Sequence, residues 1–482
     1  MKLDYRKTLL VGLAFLSIQM FWGFYEAVIA KMLIDSFGLS NLWSGVIMTF
    51  DNLLALFLLP LFGIWSDQTK SKFGKRTPFI TIGIIIASVL IIGVAVADFY
   101  QQLAVSEMGI GAILPIEING IITGYQFDFA GDAQVYLTKE LATYARMDLV
   151  WTLVTAKYPW FLIGFIFILL LVLLSMSLYR TPAVSLMPDV TPKTLRSEAN
   201  ALINLMGAVG GILAIGLINF LAIEFQPYVF AFGVLSFTML IVLALFLLFV
   251  KEVRWVKENE QLSITLGLET QASIDEAKVS KIQLKPAVMR SFIFILLSVF
   301  LWFFGFNAVT SKFSVYASSV LELENYALPL LVANLSALIG FVPLAYLSNI
   351  FGRKKTILGG ILFLALGMFG AIFLGPQSSW LIYPVMVTAG LGFAAINVNS
   401  YPMVVDLASG NDIGKFTGYY YTASMAAQIL TPIVSGALMD FLPFRLQILF
   451  PYAFIFTVLS FVTMLFVNHG DNPLKEIKHA HH

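Results

Sequence analysis

Hydrophobic and polar positions along this chain alternate on the scale of a membrane rather than of a soluble core. Apolar runs of about 20 residues or more, the length a helix needs to cross ~30 Å of hydrocarbon, fall at 8–34, 42–64, 78–98, 158–187, 198–224, 226–250, 291–318, 326–347, 356–375, 379–405, 416–440 and 446–468. They predict twelve spans. Two long polar stretches interrupt them. Residues 99–157, rich in Asp, Glu, Gly and polar aromatics, predict a large outward loop between spans 3 and 4. A tolerated insertion is the expectation there, with a small extracellular cap as the alternative. Residues 251–290, charged and ending at Lys285-Pro286, separate six spans from six and predict a cytoplasmic linker carrying an amphipathic helix. The domain reading is therefore an N-terminal six-helix bundle (1–250, with the 99–157 insertion), the linker (251–290), a C-terminal six-helix bundle (291–468) and a cytoplasmic tail (469–482).

Charge gives these spans a direction. The net charge of +1 hides a sorted distribution, for 23 of the 29 Lys and Arg fall on one side of the predicted spans. By the bias of cytoplasmic loops toward Lys and Arg, both termini are expected in the cytoplasm. A multi-pass protein of the plasma (inner) membrane is the expected location. With 59% hydrophobic residues, 12% charged and a mean hydropathy of +0.87, a soluble globular class is excluded. There is no Cys, which removes disulfide and thiolate–metal chemistry. All four His lie in the tail, at 469, 479, 481 and 482, so no imidazole reaches a span and no metal site is expected. The first run is too long for a cleavable signal peptide and lacks a small-residue cleavage site. No Gly-Lys-Ser/Thr phosphate loop supports ATP-driven pumping. Nor does a nucleophile–His pair support an enzyme. No cofactor and no nucleic-acid partner are expected, and a monomer is.

The most specific stretch is the loop after span 2, Pro60…Gly63…Asp67…Lys70-Ser71-Lys72-Phe73-Gly74-Lys75-Arg76-Thr77-Pro78-Phe79, with four cations in seven residues. It resembles the loop between helices 2 and 3 of major facilitator transporters. Its form is nearest to the glycoside-pentoside-hexuronide:cation symporters and the related sucrose-proton symporters. The end of span 4, Tyr179-Arg180-Thr-Pro182-Ala-Val-Ser-Leu-Met-Pro188-Asp189, with Ala199-Asn200-Ala201 after it, also resembles the sucrose-type pattern. The family arginine of that stretch falls on Val184 here, with Arg180 one turn earlier. The resemblance implies an all-α membrane protein of twelve helices in two pseudo-symmetric bundles. An internal repeat agrees: Pro60…Asp67…Gly74-Lys75-Arg76 is echoed by Pro343…Asn349…Gly352-Arg353-Lys354-Lys355, and Asp189 by Asp406. With 99–157 removed, the spacing of the two halves comes into register. Asn349 stands where the first half has Asp67.

Ionisable residues at mid-membrane depth are costly and are functional candidates by default. Glu26 shares one face of span 1 with Gln19 and Trp22 or Gly23. An amide, an aromatic ring and a carboxylate together suit a sugar, whose hydroxyls need donors and acceptors and whose CH face stacks on a ring. Asp51, with Asn52, lies near the centre of span 2 and is the preferred coupling residue, with Glu26 beside it. Melibiose-type members of the resembled family carry an acidic pair at places that fall on Ala55 and Leu59 here, so a proton is favoured over sodium. Arg180 is expected to close a gate against Asp67, with Lys75, Arg76, Asp189, Arg353 and Asp406 in the same gating set. Lys312 on span 7 is a candidate counter-ion to Glu26 or Asp51, or an anchor at the outer headgroups. Substrate-binding candidates are Gln19, Trp22, Tyr25, Asn52, Asn200, Asn204, Asn307, Asn397, Tyr420 and Gln428, the last two on one face of span 11 with Ser424 and Thr431. Mid-helix Gly207, Gly210 and Gly211, with Pro343, Pro402 and Pro432, are expected to let a helix flex or break, with close helix packing as the alternative reading of the Gly and Tyr faces. The resemblance and these faces together imply proton-coupled uptake of a glycoside, a disaccharide such as sucrose, maltose or an alpha-glucoside. Binding at the midplane between the halves and alternating access are part of that expectation. A sodium-coupled sugar symporter, an exporter of amphiphiles or drugs, and a non-transporting sensor are the alternatives.

Overall fold

The computed structural model describes residues 3–119, 121–192, 195–221, 228–265, 286–405, 407 and 413–470. Within them, twelve helical stretches are long and apolar enough to cross a membrane, in agreement with the twelve runs. Span 1 is α1 (Tyr5–Asp35), capped by the Asp4 carboxylate, which accepts from the Lys7 N–H at 3.0 Å. Span 2 is two helices, α2 (Asn41–Met48) and α3 (Phe50–Gln68), interrupted at Thr49. Then come α4 (Thr77–Glu107), α5 (Lys139–Val150), α6 (Trp160–Val190), α7 (Arg196–Phe220), α8 (Tyr228–Phe249) and the linker helix α9 (Glu252–Thr265). The remaining helices are α10 (Pro286–Ser319), α11 (Leu328–Phe351), α12 (Arg353–Ala371), α13 (Ile382–Val405), α14 (Ile413–Phe441) and α15 (Leu449–Leu465).

Contacts divide the chain into two compact units. The first comprises residues 1–266 together with 314–328, the last turns of α10 and the loop after it. The second comprises 267–313 and 329–482. Each repeats the packing of the other. In the first unit α4 packs along α6 and α8; in the second the equivalent α12 packs along α13 and α15. Glycine sets the close approach in both copies, as expected where lipid offers no hydrophobic drive and backbones must touch. A Cβ on Gly83 would press into Tyr179, and one on Gly392 would lie 2.7 Å from the Gly360 carbonyl. Gly74 and Gly352, aligned by the sequence repeat, both hold positive φ (109° and 96°) just before a helix starts. A side chain at either would be strained.

Within the first unit, α1 lies most closely against α7. Gly210 meets the Leu16 carbonyl so tightly that any Cβ would collide with it, and a methyl at Gly207 would stand 3.0 Å from the Gln19 Cγ. These glycines, expected to lend flexibility, serve close packing in this structure.

The segment 99–157 is where the structure departs most from the expected loop. Helix α4 continues through Glu107, because polar residues that read as loop are satisfied inside the protein. Gln101 is buried and donates to the Ser36 carbonyl (3.0 Å) and to Thr155 Oγ1 (2.9 Å), while Gln102 donates to Asp98 Oδ2 (2.7 Å). Beyond it, β1 (Leu114–Ile118), β2 (Ile121–Phe129) and β3 (Asp132–Tyr136) form an antiparallel sheet in the order β1-β2-β3. Two-residue turns join them, with Asn119 and Ala130 at positive φ, the geometry that matches strand twist. Tyr125 and Phe127 of β2 pack on Ala142 of α5. Val105 and Ile110 pack on Val150 and Val154. This is a folded cap with its own small core. Arg146 bolts it to α1, donating from Nε to the Gly111 carbonyl (2.8 Å) and from Nη1 to the Asp35 carbonyl (2.7 Å). Burial lowers that guanidinium's pKa, against the opposing pull of Asp35.

The end of α10 has a related peculiarity. Its last turn closes with the Leu323 N–H on the Ala317 carbonyl (2.9 Å). The left-handed position at such a helix end normally holds glycine. Here Glu322 occupies it, at φ 56°, a conformation costing an L-residue roughly 1–2 kcal/mol.

Candidate functional site

On α1 the burial pattern leaves one stripe open. Gln19 and Glu26 are exposed and Trp22 and Gly23 half-buried, while the other faces pack against α7, α8 and α6. Asp51 approaches this stripe from the break in span 2. Because the helix restarts after Thr49, its first N–H groups lack helical acceptors, and the Asp51 carboxylate stands beside them. The Asn52 side-chain amide donates to it at 2.9 Å. No Gly or Pro marks that break, so its position was not readable from the run of Leu and Phe.

Arg180 completes the cluster. Its guanidinium lies 5.7 Å from the centre of the Trp22 ring and in the field of Asp51, which in turn acts on Glu26. A cation over an indole contributes about 0.5–2 kcal/mol depending on how dry the site is. Tyr25 is buried edge-on to Trp22 (5.4 Å) and parallel to Phe21 (5.9 Å). The Tyr25 hydroxyl and the Trp22 Nε1 are both buried without a hydrogen-bond partner. Two carboxylates, one guanidinium, an indole and unsatisfied polar atoms thus converge on α1, α3 and α6. Asn200 and Asn204 are exposed on α7, the Asn204 amide donating to the Asn200 carbonyl (2.8 Å).

The expected gate is assembled differently. Asp67 is met by Arg76, while Arg180 is engaged by Trp22 and Asp51. Arg76 is buried, donating from Nη2 to Asp67 Oδ1 (2.5 Å), from Nε to Asp189 Oδ2 (2.8 Å) and from Nη1 to Ser66. Burial pulls its pKa down, but the bonds and charges of Asp189 and Asp67 outweigh that and hold it above its ordinary value. Lys75 joins through its backbone only, and its side chain is exposed. The residue that sequence reading missed is Glu252, at the start of α9. Its carboxylate accepts from the N–H groups of Lys75 (2.5 Å), Arg76 (2.9 Å) and Thr77 (2.7 Å) and from the Thr77 hydroxyl (2.7 Å). The signal was present: Thr77-Pro78 opens a helix with no acidic cap of its own, so an acceptor had to come from elsewhere. Helix α9 is further held by Lys7–Glu258 (3.0 Å) and by the Asn259 amide on the Asp189 carbonyl (3.0 Å).

In the second unit, Asn307 and Asn397 are half-buried, and the Asn307 Nδ2 is without a partner. Tyr420 is withdrawn from the expected substrate face: it is 4% exposed, its hydroxyl 2.9 Å from Ser400 and its ring against Tyr401. Ser424 and Thr431 are buried too, Thr431 bonding to the Phe304 carbonyl, so this face of α14 is largely a packing face with Gln428 half-buried at its edge. Arg353 is half-buried at the start of α12. Asp406 lies outside the described residues, as does the side chain of Asn349. Lys312 is not a headgroup anchor. It is 0% exposed, and the acid acting on it is Asp440.

Twelve membrane-crossing helices in two units of matching internal packing, with charged and amide side chains on their span faces, define a polytopic transporter of the repeat-built kind. The chain belongs to the Major Facilitator Superfamily, whose sequence profile matches residues 147–342 and 325–480. It is an integral, multi-pass membrane protein. Among curated proteins it is similar to sucrose transport protein SUC3 of Arabidopsis thaliana, 28% identical over 180 residues, which are 37% of this chain and 24% of that protein. Sucrose transport protein SUC4 of the same plant is 32% identical over 126 residues, 26% of this chain and 24% of that protein. The match spans about a quarter of the length of either relative. Among solved structures, a D-xylose-proton symporter superposes with a TM-score of 0.64 at 16% identity, covering 96% of this chain and 98% of the other. A bacterial homologue of the iron transporter ferroportin gives 0.63 at 14%, covering 96% and 99%. The nucleoside transporter NupG gives 0.57 at 14%, covering 96% and 98%. Neighbours handling a pentose, iron and nucleosides show that the shared fold does not select the solute.

Proposed function

We propose that this protein is a proton-coupled symporter taking up a glycoside, with a disaccharide as the preferred solute. The observation that carries the reading is the open α1 stripe of Gln19, Trp22 and Glu26 lying against Asp51 and Arg180. The indole offers a stacking surface for a sugar ring. The amide, the carboxylates and the partnerless Tyr25 hydroxyl offer donors and acceptors for sugar hydroxyls. The partial likeness to two sucrose transport proteins points the same way.

Coupling follows from charge. Glu26 and Asp51 act on each other and one guanidinium, Arg180, acts on Asp51, so the fully ionised cluster carries a surplus negative charge that one proton removes. Sodium would need several oxygens converging with free lone pairs. The places where a second acid would stand hold Ala55 and Leu59, and the Asn52 amide donates to Asp51 (2.9 Å) instead of turning an oxygen toward an ion, which favours the proton. Loading of Asp51 or Glu26, binding of the sugar beside Trp22, and release of both on the opposite side then make one cycle of alternating access. The Arg76–Asp67–Asp189 cluster would serve as the gate on the loop side.

The test is uptake of a panel of radiolabelled sugars into proteoliposomes under an imposed pH or sodium gradient, with wild type and Asp51→Asn. Accumulation of one glycoside driven by the pH gradient, reduced at least tenfold in Asp51→Asn while exchange survives, is the expected outcome. Accumulation driven by sodium, or of no glycoside under either gradient, would overturn the reading.

A further inference from the structure

The cap does more than roof the first unit: it grips the end of α10. On the cap, Thr143 Oγ1 lies 3.4 Å from Ser319 Oγ, and the Lys139 N–H reaches Glu322 Oε1 at 3.5 Å. The Tyr125 hydroxyl faces the Glu322 carboxylate. Glu140, buried in the first turn of α5, acts on Tyr316. From the α1 side, Lys31, also buried, donates to Ser318 Oγ (3.1 Å) and to Asp35 Oδ2 (2.7 Å) and stands 5.3 Å from the Tyr326 ring centre.

Three independent features converge on this contact. Residues 314–328 cluster with the first unit although the rest of α10 belongs to the second. Glu322 holds a left-handed conformation that glycine would adopt without strain, and only a side chain at that position can reach Tyr125 and Lys139. Strain retained where a side chain makes a specific contact points to a use for that contact. The polar groups involved are also held in place: Arg146 and Gln101 fix the cap to the end of α1, and Lys31 and Asp35 occupy the same end.

We propose that the 108–159 cap is a clasp whose residues Tyr125, Lys139 and Thr143, with Lys31 of α1, hold the end of α10 through Ser318, Ser319 and Glu322, and that this end must be released for the protein to open on the cap side. The clasp rests on the transporter reading but not on the identity of the solute. Its residues are positioning residues that set how readily the cap side opens.

The chain contains no Cys, so single-cysteine reporters have no background. Ser314 is buried one turn below Ser318, with its hydroxyl unpartnered. In purified Ser314→Cys protein, maleimide labelling is expected to be slow. Adding Tyr125→Phe and Glu322→Gln is expected to raise the labelling rate at least fivefold, and an unchanged rate would overturn the proposal. This readout needs no solute, so it stands even if the sugar reading fails. Where the double substitution compromises folding, the pair Thr143→Cys and Ser319→Cys supplies the second arm. Oxidation is expected to join them and to reduce solute exchange in proteoliposomes at least tenfold, with recovery on adding reductant. Failure of the pair to crosslink, or exchange undiminished after crosslinking, would overturn it.

Discussion

The two units share a packing scheme and differ in where they keep charge. In the first, Glu26 is exposed and Asp51 and Arg180 are half-buried beside it, on a stripe that no helix of the unit covers. In the second, Lys312 is shut completely inside, facing Asp440, and the tyrosine expected to meet solute is packed against Ser400 and Tyr401. Charge that can reach an incoming ligand can change its protonation or partner during a cycle. Charge sealed between helices fixes how those helices stand. The contrast assigns chemistry to the first unit and a bracing role to the buried Lys312 of the second.

The comparison breaks most easily at Lys312. Lys312→Ala would truncate a long, completely buried side chain and remove the cation facing the half-buried Asp440, a change expected to cost about 2–5 kcal/mol. A fall of several degrees in the thermal unfolding of the purified protein is expected, with most of it regained in Lys312→Met/Asp440→Leu. Glu26→Gln, on the open stripe, should shift unfolding by less than about 1 kcal/mol. If the two substitutions destabilise alike, the contrast fails. Glu252→Ala comes next. It strips an acceptor from three N–H groups and one hydroxyl in a buried site, and a loss of about 2–3 kcal/mol is expected from the charged hydrogen bonds removed. Glu252→Gln, which keeps one acceptor oxygen, should fall between it and wild type in the same melt. Smaller still, Trp22→Leu should weaken solute affinity about fivefold, corresponding to ~1 kcal/mol of ring contact, without moving the melting temperature. Equilibrium binding and a thermal melt on one preparation separate the two effects. The smallest change is Lys75→Gln, expected to stay within about 0.5 kcal/mol of wild type because only its backbone N–H is used. A large loss there would return the ammonium group to the gate.

Much of this molecule was legible from residue order, and the limits follow from particular residues. Span length and Lys/Arg-rich loops are local, so twelve helices and the 2–3 loop could be read directly. The α1 stripe was legible because Gln19, Trp22 and Glu26 recur at helical spacing and polar residues on one face of a span need a reason. Tyr420 reads two ways by the same rule, since a polar face also forms where hydroxyls bond across a helix contact, and its hydroxyl meets Ser400. Sequence gives Arg180 a depth but not a direction, and the structure sets it beside Trp22 and Asp51. The cap looked like a loop because Gln101, Asp98 and Arg146 are polar. Their hydrogen bonds to Ser36, Thr155 and Asp35 make burial tolerable, and those partners are distant in sequence.

What the sequence determined by itself was everything carried by local hydrophobic period and charge count: the number of spans, the break into two halves, the cation-rich loop and the acids placed in the spans. What only the tertiary structure decided was which of those charges meet. Arg76 closes on Asp67 and Asp189 beneath Glu252, Arg180 stands with Asp51 and Trp22, Lys312 faces Asp440, and Glu322 is held by a cap from across the chain. The reason is physical. Crossing a membrane depends on residues adjacent in the chain, because each helix satisfies its own backbone. A side-chain charge in a dry interior depends on whichever partner the packing of other helices brings within a few ångströms.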